Sequence, residues 1–139
     1  MQNYLNLINK MDYIKLNQPA EMIKNGSIVI FPTETVYGIG TNGLNKNAIK
    51  KLYQLKRRPL NKPISLLVNG IDMVEKISKD ITELEYALME TFFPGPFTII
   101  LKKKDIVPNI LTANSDTVGI RMPANKIALK LIDYAGIPI

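Results

Sequence analysis

The chain has 139 residues, with 18 Lys and Arg against 12 Asp and Glu, a net charge of +6; that length fits one compact domain. It contains no Cys and no His, which excludes disulfides, thiolate or imidazole metal sites and histidine acid–base catalysis, so any chemistry rests on Asp, Glu, Lys, Arg, hydroxyls and backbone groups. Hydrophobic residues make up 46%, too many for a disordered chain, yet no apolar run spans a bilayer and the N-terminus lacks the apolar core of a signal peptide, so the expectation is a cytoplasmic protein with no membrane partner.

In chain order, residues 18–25, QPAEMIKN, read as a short helix with Pro19 in its first turn and Gly26 as its stop. Residues 27–31 read as a buried strand. A helix follows over Asn45–Lys56, with Asn45 as N-cap and Ala48, Leu52 and Leu55 on one apolar face; Pro59 closes that region. Ile64–Val68 is a further strand. Thr82–Phe92 is a helix whose Thr82 cap and Glu85 form a capping box. After the turn Pro94-Gly95-Pro96 come strands at Phe97–Leu101 and Thr117–Arg121, then a helix over Lys126–Tyr134 closed by Gly136. Ile137-Pro138-Ile139 reads as the start of another strand, and the chain as one domain over residues 1–139 that is cut short at its C-terminal end. The alternation of strands and helices predicts an α/β fold with a mixed sheet.

Several short stretches carry chemistry. Gly38-Ile39-Gly40-Thr41-Asn42-Gly43 matches a dinucleotide fingerprint. The acidic residue expected about 20 positions later is missing, however, and glycines that relieve a tight bend are the plainer reading. In Pro32-Thr33-Glu34-Thr35, the proline marks a strand end. The two threonines alternate, so both hydroxyls face one side of an extended segment and Glu34 the other. They suit either a small polar ligand or an exposed strand end. Lys56-Arg57-Arg58, with Lys62 nearby, either clamps phosphates or is a solvated helix C-terminus favoured by the dipole. Arg121 ends an apolar strand, where an unpaired charge is costly; it must meet an anion, either a ligand or an internal carboxylate. Lys102-Lys103-Lys104 reads as a solvated loop. The positive charge fits phosphates or nucleic acid, or a lysine-rich solvated surface.

Together, FPTETVYGIG at residues 31–40, Lys56-x-Arg58-Pro59, Phe93-Pro94-Gly95-Pro96 and Thr117-Val-Gly-Ile-Arg121-Met-Pro123 closely resemble the YrdC/Sua5 family of threonylcarbamoyl-AMP synthases, from about Gln18 to the end. The resemblance implies a twisted open mixed sheet with flanking helices around a positively charged cavity. It implies synthesis of threonylcarbamoyl-AMP and pyrophosphate from L-threonine, bicarbonate or CO2, and ATP accompanied by Mg²⁺. Separate downstream proteins would then transfer the threonylcarbamoyl group to adenosine 37 of tRNA. On this resemblance Lys56, Arg58, Lys62 and Thr117 bind ATP, and Thr33, Thr35 and Arg121 bind threonine. No catalytic acid, base or metal ligand is implied, because positioning and charge neutralisation suffice. Two departures stand out. Leu67 occupies the place of a histidine that helps bind threonine in many relatives, and the sequence stops before the Ser-x-Asn motif that closes over the nucleotide in relatives. The alternative is a non-catalytic RNA-binding module of the same fold, in direct contact with RNA. It lacks an aromatic stacking platform.

Overall fold

The computed structural model describes residues 13–139; residues 1–12 of the expected domain lie outside the described residues. A 3₁₀ turn over Tyr13–Leu16 leads into α1, Asn17–Lys24. Pro19 sits in its first turn and is buried with Ala20 and Ile23. The chain turns at Gly26, whose φ of +92° suits a residue without a Cβ.

β1, Val29–Pro32, and β2, Tyr37–Gly40, form an antiparallel pair in the register Phe31↔Gly38 and Pro32↔Tyr37. The glycines therefore do not relieve a bend, as the sequence suggests; Gly38 and Gly40 lie inside a strand. The reason is close approach. A Cβ on Gly38 would lie 3.1 Å from the Phe31 ring, and one on Gly40 would lie 2.6 Å from Ile139 Cγ2 and 2.9 Å from the same ring. The missing side chains let Phe31 and Ile139 pack onto bare backbone.

α2, Lys46–Lys56, starts where Asn45 Oδ1 accepts the Ala48 N–H at 3.0 Å and ends at Arg57, whose φ of 50° is left-handed. Its buried face is Ala48, Ile49, Leu52 and Tyr53. Leu55, expected on that face, is 60% exposed. The stripe follows the i, i+1, i+4, i+5 rows rather than i, i+4, i+7, because Tyr53 turns inward and donates its hydroxyl to the Lys62 carbonyl at 2.8 Å.

The strand expected over Ile64–Val68 contracts to β3, Leu66–Leu67. α3, Ile71–Ile77, follows without any capping side chain, which is why the sequence does not announce it. α4, Glu83–Phe92, carries the expected capping box between Thr82 and Glu85. β4, Thr98–Lys102, and β5, Thr117–Arg121, complete a three-stranded sheet in the order β3-β5-β4, with β3 parallel and β4 antiparallel to β5. α5, Lys126–Ala135, is capped by Asn125 and ends at Gly136, φ 70°.

The strands thus fall into two sheets, one of them mixed. The last residues bond to both halves. Leu67 and Ile139 exchange backbone hydrogen bonds of 2.7 and 3.1 Å, and the Gly43 N–H donates to the Pro138 carbonyl at 2.9 Å. One core unites the elements: Leu66, Val118, Ile120, Ile99 and Leu101 on the inner sheet face meet Ile23, Ile49, Tyr53, Val74, Met89, Leu131 and Ile132 from the helices. Lys103 departs from the solvated loop expected of the lysine run. It is 9% exposed and donates to the Val107 carbonyl at 3.0 Å. Among the described residues no helix is long and apolar enough to cross a membrane.

Candidate functional site

The core leaves a cavity of about 250 Å³ between the two sheets and α2. Its walls are mostly apolar, with Phe31, Ile49, Leu52, Leu66 and Ile139 among them. Besides Tyr37, Thr41 and Ser65, its polar side chains include Thr33 and Thr35 after β1, Lys56 at the end of α2, and Arg121 at the end of β5. Four of the seven binding residues expected from sequence therefore converge here. Among the described residues that line it, the charged ones are Lys56 and Arg121, and Arg121 is paired with Glu34.

Thr33 to Val36 is a turn rather than an extended strand end. The Thr33 N–H donates to the Val36 carbonyl at 3.2 Å, the Thr33 hydroxyl bonds the same carbonyl, and the Val36 N–H donates back to Thr33 Oγ1 at 3.2 Å. Such local bonding is what a short hydroxyl side chain offers a turn. It also sets the two threonine hydroxyls 3.2 Å apart, so their expected common side is met by a different backbone path.

Arg121 meets an internal carboxylate of this chain. Its Nη2 pairs with Glu34 Oε1, and the side chains of Arg121 and Glu34 are 21% and 17% exposed. Glu34 was expected to face away from the site; the turn brings it back. The same Nη2 donates to Thr35 Oγ1 at 3.3 Å, and Nε donates to the Gly95 carbonyl at 3.3 Å. Gly95 and Glu34 are site residues that the sequence reading missed. For Glu34 a usable clue existed: an acid two residues from a strand end, in a chain with one strand-end arginine to neutralise.

The remaining expected residues lie outside the cavity. Arg58 donates from Nε to the Lys62 carbonyl at 3.1 Å and from Nη2 to the Pro63 carbonyl at 2.8 Å, folding the loop after α2. The Lys62 side chain is exposed. Thr117 sits at the other end of β5 from Arg121, with its hydroxyl 3.0 Å from Ser115 Oγ. Four residues apart on one strand, the two share a face about 13 Å apart. Between them Gly119 leaves that face flat against Ser65, whose Oγ would lie 2.7 Å from a Cβ there. Leu67, in the place of the family histidine, lines the cavity beside Arg121, its partner across the β3–β5 pair.

Comparison with known proteins places the chain among relatives. The threonylcarbamoyl-AMP synthase of Pyrococcus abyssi is 40% identical over 135 residues, covering 97% of this chain and 40% of that protein. The threonylcarbamoyl-AMP synthase of Bacillus subtilis is 40% identical over 126 residues, covering 90% and 36%. The crystal structure of P. abyssi Sua5 complexed with L-threonine superposes with a TM-score of 0.89 at 41% identity, over 91% of this chain and 37% of that one. The chain thus spans about two fifths of the length of these relatives. The family model Sua5_yciO_yrdC, described as "Telomere recombination", matches residues 21–139. This chain belongs to the Sua5/YciO/YrdC family.

Proposed function

We propose that the chain carries the substrate-binding core of an L-threonylcarbamoyladenylate synthase. The observation that supports this most directly is the convergence of Thr33, Thr35, Lys56 and Arg121 on one cavity, in a chain 41% identical to a Sua5 crystallised with L-threonine. In this reading the Arg121 guanidinium receives the threonine carboxylate, a planar pairing that lysine cannot reproduce. The Thr33 and Thr35 hydroxyls bond the substrate's polar groups.

The chemistry asks little covalent help of the protein. The threonine amine adds to carbon dioxide, which bicarbonate supplies by taking up a proton and losing water, and gives a carbamate with release of the amine's proton. A carbamate oxygen attacks the α-phosphorus of ATP, and pyrophosphate leaves. Holding the reactants in line and offsetting phosphate charge are the main contributions. Lys56 supplies the second cation of the cavity, and Arg58 and Lys62 extend the positive charge along the loop that follows α2. Thr117 lies along β5 from Arg121, so a nucleotide running over Gly119 would meet its hydroxyl. Mg²⁺ would accompany the triphosphate, held mostly by phosphate oxygens and water. The product would pass to the proteins that modify tRNA, in the cytoplasm. The domain is taken to span residues 1–139.

The test is pyrophosphate release from MgATP and bicarbonate, with and without L-threonine, on this chain and on any longer gene product. Threonine-dependent release is expected from at least one of them. Arg121→Lys should raise the KM for threonine by about tenfold or more, roughly the loss of one charge-assisted hydrogen bond. No threonine-dependent release from either protein would overturn the reading. Salt-steep RNA binding in its place would favour the RNA-binding module.

A further inference from the structure

Glu34 has a role that neither the reaction nor the cavity lining assigns to it. Its two carboxylate oxygens do different things. Oε1 is buried, and its partner among the described residues is the Arg121 guanidinium. Oε2 accepts the backbone N–H of Ala124, just before the Asn125 cap of α5. A single side chain thus ties the Thr33–Val36 turn to a strand end and to a helix entrance some 90 residues away in sequence. The helix N-terminus favours negative charge at this position, and the half-buried guanidinium requires it.

Arg121 is held on three sides: by Glu34, by the Gly95 carbonyl at 3.3 Å and by Thr35 Oγ1 at 3.3 Å. Its Nη1 keeps no partner among the described residues, while the side chain lines the cavity. A free arginine samples many rotamers, and fixing it costs entropy when a ligand binds. Here that ordering is complete before any ligand arrives. Thr35 follows Glu34 directly, so the tie also places the Thr35 hydroxyl against the guanidinium.

We propose that Glu34 is a positioning residue that pre-assembles an amino-acid carboxylate site, fixing Arg121 and the Thr33–Thr35 hydroxyls as one unit. It does not touch the substrate or take a proton. This deepens the proposed function, on whose choice of threonine it rests, but the tie itself is independent of that choice. The proposal also predicts selectivity. Loss of Glu34 should weaken the amino acid and spare the nucleotide, because Lys56 sits on α2 and makes no contact with this tie.

The experiment compares the full-length wild type with Glu34→Gln and Glu34→Ala in two readouts. The first is amide hydrogen exchange. Exchange at Thr35, Val36 and Ala124 should speed up by about tenfold or more in Glu34→Ala, with α4 and β4 unchanged. Glu34→Gln keeps one carbonyl oxygen for the Ala124 N–H and should show a smaller rise. The second is steady-state pyrophosphate release. The KM for L-threonine should rise about tenfold in Glu34→Ala, with kcat and the KM for ATP within about threefold of wild type. Unchanged exchange at the turn would overturn the tie. Equal losses for threonine and ATP, or an improved threonine KM, would overturn the positioning role, the last by showing that Glu34 competes with substrate for Arg121. The expected exchange difference between wild type and Glu34→Ala, with no threonine-dependent turnover by wild type, would refute the synthase reading while leaving the tie in place.

Discussion

Arg121 and Tyr53 show how one polar group decides local structure. Arg121 could not end an apolar strand without an anion, and the anion is Glu34. Tyr53 is 2% exposed, and its hydroxyl donates to the Lys62 carbonyl. Burial raises its pKa above 10, while the nearby Arg58 opposes the shift. The neutral phenol is therefore favoured in the folded state. Between the unfolded and folded pKa the native protein keeps a proton that the unfolded chain has released, so stability falls as pH rises through that window. Thermal melts from pH 8 to 11 should show wild type losing stability above about pH 10, with Tyr53→Phe losing less over the same range. At pH 8 the variant should be less stable by about 1 kcal/mol, the worth of the lost hydrogen bond. A parallel pair of curves would refute the titration.

At the level of elements, the helices obey their caps. Asn45, Thr82 and Asn125 each accept N–H groups at the start of a helix, and Gly136 closes α5 in the left-handed region. These signals act within a few residues, so they are readable along the chain. α3 carries none of them and shows only in the fold. β2 went unread for a related reason: glycines weaken a strand in isolation, and Gly38 and Gly40 are tolerated because Phe31 and Ile139 cover them. Two substitutions separate these cases. Thr82→Ala should cost about 1 kcal/mol and a few degrees in Tm, with threonine and ATP KM unchanged. Gly40→Val should cost more, because a Cβ there overlaps Ile139 Cγ2 and the Phe31 ring at 2.6 and 2.9 Å. It should also raise the threonine KM, since Phe31 and Ile139 line the cavity. Kinetics on the two folded variants decides whether the effects part in this way.

On the scale of the molecule, the two sheets, α2 and the segment at Pro138–Ile139 enclose the cavity together, and each sheet alone would leave it open. A ligand that fits there should stabilise the whole fold by mass action, about 2.7 kcal/mol at a hundredfold excess over its Kd. MgATP and L-threonine should therefore raise Tm, and NAD should not. A shift with NAD and none with ATP would revive the dinucleotide reading of Gly38–Gly43. The sequence by itself determined the capped helices, the α/β class and the residue types available for chemistry, because caps, periodicity and composition are local properties. It also carried the family resemblance, through motifs short enough to read directly. Only the tertiary structure decided which of those residues meet. Thr33, Thr35, Lys56 and Arg121 share a cavity, whereas Arg58 folds back on its own loop and Thr117 lies about 13 Å along the strand. Glu34 and Gly95 joined Arg121 only once a turn and a distant strand were brought together. The Arg121–Thr35 bond spans 86 residues and the Glu34–Ala124 bond 90, and no local pattern in a chain encodes contact at that range.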